Sequence, residues 1–368
     1  MALPIQLKRL ILSLYPFCPL YPRTQRILAV FSLHFRLAMA EFKTFNTELT
    51  LKCGVTLPIF LKYKTLGDPK NPVILIPTCY TGRINGTYNM MIGDDGAASP
   101  KKYFVIIVGL LGGSESSSPS TQPAPFDGPN FPETVYEDNI HAQYKLVQSL
   151  GYDKIFAYMG YSMGGQQAYY FASMYPDKVQ KIVPMASSAQ TSGFNWNFLE
   201  GVKATMKASS DFKANTYTEP VVIGAKAFGR VYSNWALSYE WFETKAWEVH
   251  GYKSSAEYLE KDWEERLTTW DGRDLVQMAV TWQKGDIATF ADGDLAAALG
   301  KIQAEVCVMP GRTDQYFRWE ASVKEVEALK KGELHIIESV WGHIVGGGAG
   351  TPEDNAFINK TVAEFFAK

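Results

Sequence analysis

Cysteine is scarce in this 368-residue chain, and it is poorly spaced for chemistry. Cys18, Cys53, Cys79 and Cys307 form no CxxC pair and have no His nearby at metal spacing. Neither a disulfide framework nor a zinc motif is expected, and reduced thiols in a cytosol-like compartment fit this usage. Charge of one sign is also lacking, with 36 basic against 38 acidic residues and a formal net charge of −2. Nucleic-acid binding needs clustered Lys and Arg to neutralise phosphates, so that class is excluded and a small-molecule ligand is expected. Long apolar runs are missing too. The stretch from Ile27 to Ala40 is interrupted by His34 and Arg36, and Pro4, Pro16, Pro19 and Pro22 precede it. A bilayer span needs about 20 apolar residues, so no membrane span is expected. The triplets Asn85-Gly-Thr87 and Asn359-Lys-Thr361 match a glycosylation acceptor but carry no weight without secretion. What remains, 46% hydrophobic and 20% charged with no internal repeat, is the composition of an ordinary globular enzyme.

Charge is nonetheless unevenly placed. Residues 1–40 carry Lys8, Arg9, Arg23, Arg26 and Arg36 and no acid, so every Asp and Glu lies in the body of the chain. Two readings of this leader stay open, a transit-like segment and an upstream extension of a chain that starts at Met39. The expected compartment is the cytoplasm, with the mitochondrion as the alternative.

From Thr47 onward, extended and helical patterns alternate. Thr47–Cys53 and Pro58–Thr65 read as a hairpin around a Gly-containing turn. Six compact apolar runs follow: 73–77, 104–108, 155–159, 181–185, 306–309 and 334–337. Runs apolar on both faces belong to parallel strands covered by helices, and helical patterns over Val135–Leu150 and Gly165–Tyr175 supply such crossovers. An eight-stranded, mostly parallel α/β sheet is predicted. The gap between Met185 and Val306 holds seven of the nine tryptophans and reads as a helical lid, its aromatics expected to pack its core rather than touch ligand. The expected organisation is a basic leader over 1–40, a first core segment over 41–188, a lid insertion over 189–300 and a second core segment over 301–368. The Ser- and Pro-rich stretch from Leu111 to Pro132 is long enough to expect a functional loop.

The chemistry is carried by Gly160-Tyr-Ser162-Met-Gly164, a GxSxG pattern preceded by an apolar strand and followed by a helix. In that setting small residues let the chain turn sharply and leave a Ser hydroxyl exposed. A Ser hydroxyl attacks only when a His takes its proton and an acid orients that His. Of the five histidines, His34 lies in the leader, His141 on a helix, His250 in the insertion and His335 in a strand. His343, in Trp341-Gly-His343 after the last strand, is the candidate base. Asp314 follows the preceding strand and is the candidate acid; Asp292 and Asp294 precede that strand and read as a turn. For an oxyanion hole the expected donors are the amides of Met163 and of Tyr80, with Cys79 as the near alternative to Tyr80. Cys79 as a rival nucleophile lacks an elbow and reads as a small packed residue.

These residues resemble the homoserine O-acetyltransferase family of α/β-hydrolases, through 160–165, Tyr175-Pro-Asp-Lys-Val179, Tyr80-Thr-Gly82, Pro100-Lys-Lys-Tyr-Phe104, Thr313-Asp314 and Trp341-Gly-His343. The resemblance implies an α/β-hydrolase fold, acyl transfer through an acyl-serine with acetyl-CoA as donor, a helical lid over a tunnel, and a homodimer formed through that lid. The chain departs from the family's usual His-Ala-Leu-Thr-Gly at the oxyanion turn, where it has Thr78-Cys-Tyr-Thr-Gly82, and from Gly-Gly-Ser-Met-Gly-Gly at the elbow, where Tyr161 intervenes. The nearest match to the family's substrate-binding Arg is Arg230, shifted by about one residue relative to Gly224. It reads either as a carboxylate ligand or as a surface charge.

The expected function is a serine acyl-transfer enzyme working through acyl-Ser162, with no metal or redox cofactor. Its partners are small: an ester, a thioester or an alcohol. An ester or thioester hydrolase is the first reading. O-acetyl transfer from acetyl-CoA to homoserine or another small alcohol is the alternative, and a non-catalytic small-molecule receptor is the alternative from another class.

Overall fold

The computed structural model describes residues 41–86, 90–113 and 115–368. The leader, Thr87 and Ser114 lie outside the described residues, and with them the readings made on them.

Eight strands form one sheet in the order β1-β2-β4-β3-β5-β6-β7-β8. Strands β1 (Lys43–Thr50) and β2 (Thr56–Leu66) make the antiparallel hairpin, its turn closed by the Leu51 amide on the Val55 carbonyl at 2.9 Å. Strands β3 (Val73–Pro77) and β4 (Phe104–Val108) are buried at every residue, which is why an unbroken apolar run marked both. Strands β5 (Ile155–Tyr161), β6 (Val179–Met185), β7 (Glu305–Val308) and β8 (Gly332–Leu334) extend the sheet in parallel.

Helices α1 (Tyr136–Ser149) and α2 (Met163–Met174) connect the strands around β5 as parallel crossovers. Between β6 and β7 lie helices α3 (Gly193–Lys207), α4 (Ile223–Ala236) and α5 (Gly272–Gln283), with shorter turns among them. Helices α6 (Trp319–Ala328) and α7 (Pro352–Ala367) complete the chain. Of the seven tryptophans in the inserted stretch, Trp241, Trp263, Trp270 and Trp282 are buried, in line with a core role, while Trp196 is exposed. No helix among the described residues is long and apolar enough to cross a membrane.

The topology fixes where a site can form. Strand β3 pairs with β4 on one side and β5 on the other, so the chain reverses direction across the sheet there. Ligands of open α/β sheets bind beyond the carboxyl ends of the strands at such a switch point. Tyr80 follows β3, Ser162 follows β5, Asp314 follows β7 and His343 follows β8, all past carboxyl ends.

The Ser- and Pro-rich loop is a built structure. Ser116 and Ser117 hydroxyls accept the Lys62 and Phe60 amides of β2, and Asp274 of α5 accepts bonds from Ser118 and Ser120. The loop thus ties the inserted helices to the sheet edge.

Candidate active site

The turn between β5 and α2 holds Ser162 at φ 58° and ψ −125°, in a left-handed region that L-residues avoid. Such a conformation costs on the order of 1–3 kcal/mol and persists only where the surroundings impose it. Here they do. A Cβ on Gly160 would stand 2.1 Å from the carbonyl carbon and oxygen of Gly164, and one on Gly165 would stand 2.5 Å from the Ser187 Cβ. The Ser162 amide donates to the Met185 carbonyl at 2.9 Å, and the Ser187 hydroxyl donates to the Ser162 carbonyl at 2.8 Å. The glycines permit the close crossing, and β6 clamps it.

His343 Nε2 lies 2.9 Å from the Ser162 hydroxyl oxygen, and His343 Nδ1 lies 2.6 Å from Oδ2 of Asp314. Oδ1 of Asp314 accepts the amides of Tyr316 at 3.1 Å and Phe317 at 3.0 Å. The carboxylate is therefore fixed by its own turn, and its free oxygen holds the Nδ1 proton, leaving Nε2 to accept from Ser162. Thr313 joins the two loops: its hydroxyl donates to the Ser339 carbonyl at 2.8 Å and accepts the Gly342 amide at 3.0 Å. All three relay residues are buried, Ser162 and His343 at 2% exposure and Asp314 at 0%. The imidazole is walled by the rings of Tyr316, Tyr161 and Phe317, with centroids at 4.5, 4.7 and 5.6 Å.

The other candidates take structural places. Asp294 caps a short helix through the Ala297 amide and Asp292 sits in a left-handed turn, while the His141 imidazole bonds the Tyr175 hydroxyl at 2.8 Å. Met163 opens α2, where an amide has no intrahelical acceptor, and Tyr80 lies in the turn after β3; neither amide donates to an acceptor among the described residues. Both are available to a ligand. The Tyr80 ring is anchored in the inserted helices, its hydroxyl donating to the Leu275 carbonyl at 2.9 Å and its ring stacking on Tyr232 at 5.7 Å. Burial pushes the Cys79 thiol up to about 12, which keeps it protonated and unreactive at neutral pH.

Tyr161, which interrupts the glycine pair at the elbow, is accommodated by two other glycines. A Cβ on Gly346 or Gly347 would lie 3.0 Å from the Tyr161 ring. Tyr316, Phe317 and Trp282, stacked on Phe317 at 5.4 Å, complete the aromatic surround that sequence patterns did not single out. Their only early signal was position, immediately after Asp314 or within the Trp-rich insertion.

Arg230 requires a correction. It projects from α4 with its side chain 63% exposed, and its Nε lies 2.6 Å from Oε1 of the buried Glu264. Inward neighbours Phe228 and Tyr232 face the site instead, as the helical period demands. The surface reading holds, and the carboxylate-ligand reading does not. The guanidinium that reaches the oxyanion turn is that of Arg266, whose Nη1 donates to the Thr81 hydroxyl at 3.3 Å. It lies over the Trp263 ring at 4.8 Å, and no carboxylate of the described residues lies within 4.0 Å of it.

Comparison with known proteins gives the chain a family and relatives. Residues 72–346 match the family model of the alpha/beta hydrolase fold. The chain is 32% identical over 298 residues to the "Probable esterase Cgl0839" of Corynebacterium glutamicum, covering 79% of this chain and 85% of that one. It is 28% identical over 345 residues to a homoserine O-succinyltransferase of Stutzerimonas stutzeri, covering 81% and 89% respectively. The solved structure of the acetyl esterase MekB superposes with a TM-score of 0.87 at 27% identity, covering 92% of this chain and all of that one.

Proposed function

The chain belongs to the alpha/beta hydrolase fold family, and from that premise we propose that it is a serine esterase that cleaves small acyl esters through an acyl-Ser162 intermediate. The observation that carries the proposal is the continuous relay from Ser162 through His343 to Asp314. His343 takes the Ser162 proton as the hydroxyl oxygen attacks the ester carbonyl, forming a tetrahedral oxyanion. The amides of Met163 and Tyr80 stabilise that oxyanion. On collapse, His343 returns the proton to the departing alkoxide, and Asp314 holds the imidazole in its working tautomer throughout. Water then attacks the acyl-serine by the same route, releasing the acid and restoring Ser162.

Esterase names among its relatives favour water as the acceptor. Acyl transfer to a small alcohol is the second reading, favoured by the homoserine O-succinyltransferase relative. The exposed, ion-paired Arg230 offers no carboxylate clamp for an amino-acid acceptor. A receptor without chemistry would not need the strained Ser162 or the buried relay.

Two further assignments go with this reading. The cysteine usage, with no CxxC pair, favours a reducing compartment, the cytoplasm with the mitochondrion as the alternative. Exposed Phe194, Trp196, Ile223 and Tyr239 on the inserted helices favour a dimer formed through them, which sedimentation tests directly.

The deciding assay follows hydrolysis of a simple acetate ester beside CoA release from acetyl-CoA with and without L-homoserine, using Ser162→Ala as control. Ester cleavage that needs Ser162 and ignores homoserine is the expected result. CoA release that requires homoserine would replace the esterase reading with the transferase one.

A further inference from the structure

At the far edge of the sheet, away from the relay, the parallel register of β7 and β8 sets Cys307 beside Glu333 and Val308 beside Leu334. The His335 amide continues the ladder onto the Val308 carbonyl at 2.9 Å. Side chains two residues apart in extended chain share a face, so His335 falls on the same side as Glu333 and Cys307. Among the described residues these three are the group whose potential ligand atoms, one thiol sulfur, one carboxylate oxygen and one imidazole nitrogen, all lie within 4.8 Å of one another. The sequence gives no zinc motif here because the set is assembled across two strands, from positions 307, 333 and 335.

Three details point to an ion rather than to a self-contained polar cluster. His335 Nε2 is shielded from solvent and has no aligned hydrogen-bond partner, although it stands 3.2 Å from Oε1 of Glu333. That separation is slightly shorter than the edge of a tetrahedral zinc site, roughly 3.3–3.7 Å for metal–ligand bonds of about 2.0–2.3 Å, so a small outward shift of the two side chains admits the ion. The second detail is the division of labour at Glu333, whose Oε2 pairs with the Lys368 ammonium while Oε1 faces His335. The third is access: Cys307 is fully buried, but Glu333 on the edge strand and His335 just after it are each about one-third exposed.

We propose that Cys307, Glu333 and His335 bind a single zinc ion, with water in the fourth position. Sulfur, imidazole nitrogen and one carboxylate oxygen suit zinc, whereas calcium and magnesium take oxygen donors. Binding replaces the Cys307 S–H bond with an S–Zn bond and releases that proton to solvent. The ion ties the three-residue strand β8 to β7 and so holds the chain that leads on to His343. The site is separate from the catalytic relay and its role is mechanical.

The test uses untagged full-length protein stripped with a chelator and titrated with zinc chloride, alongside Cys307→Ser and His335→Gln. One zinc bound per chain with micromolar or tighter affinity, release of about one proton, and a higher unfolding midpoint with zinc are expected, all lost in both variants. Cobalt in place of zinc is expected to give a thiolate charge-transfer absorption that Cys307→Ser abolishes. The metal-free unfolding midpoints show whether each variant is folded, and His335→Gln, at the exposed edge, keeps the test open if Cys307→Ser fails to fold. Absence of binding, or binding of equal stoichiometry and affinity in a folded variant, overturns the proposal.

Discussion

Gly160 and Gly164 approach so closely that a single added carbon on the first would lie 2.1 Å from the backbone of the second. The contact cannot be relieved by rotating a side chain, because the obstacle is backbone at the crossing of β5 and α2. Gly160→Ala is expected to lower stability by about 1–3 kcal/mol and to remove most esterase turnover by moving Ser162. Thermal unfolding and kcat, measured together, check both parts.

Asp314 acts through the imidazole, and its carboxylate keeps two backbone partners besides His343. Asp314→Asn preserves the volume but places an amide where Nδ1 needs an acceptor. The expected loss is on the order of 10⁴ in kcat, with little change in KM. Steady-state kinetics on a simple acetate ester would reveal it.

Arg230 and Arg266 separate a surface charge from a positioning one. Arg230→Gln is expected to change kcat/KM by less than about twofold, since among the described residues its charge pairs with Glu264 and with no relay residue. Arg266→Gln removes the charged donor to Thr81, next to the Tyr80 amide, and is expected to lower kcat by roughly tenfold. Equal effects of the two substitutions would contradict this division.

Much of this arrangement is legible before any coordinates. Val73–Pro77 and Phe104–Val108 coincide with β3 and β4 because strands buried on both faces leave an unbroken apolar signature. The relay residues are readable because Ser162 directly follows β5 in a local motif, while Asp314 and His343 lie in the loops after β7 and β8. The hairpin was displaced, running over Lys43–Thr50 rather than Thr47–Cys53, because the Leu51–Val55 turn consumes the residues before Thr56. The last strand ends at Leu334, and Ile337 touches the sheet only through an isolated bridge to Gly311. What stayed hidden depends on partners far apart in the chain. Arg266 meets Thr81 across 185 residues and Asp274 meets Ser120 across 154, contacts that no local pattern encodes.

Asp274 also predicts a pH dependence. Burial, opposed by its bonds to Ser120 and Ser118, raises its carboxyl from 3.8 to about 7. The folded protein therefore keeps a proton that the unfolded chain loses near the ordinary carboxylate value. Stability from this group is full below pH 3.8, declines as pH rises toward 7 and is lost above it. Asp274→Asn, which carries no titrating proton, is expected to flatten that decline and to unfold at higher temperature than the parent at pH 8. Unfolding midpoints from pH 5 to 8 for both proteins provide the comparison.

The proposed reaction runs through an acyl group carried by Ser162 and resolved by water. Rapid mixing with an activated acetate ester, followed by acid quench and intact-protein mass spectrometry, observes that species directly. One acetyl adduct per chain is predicted, localised by peptide mapping to Ser162, decaying in plain buffer and absent from Ser162→Ala. Turnover with no adduct on Ser162, or an adduct that persists until an alcohol acceptor is added, would contradict the account.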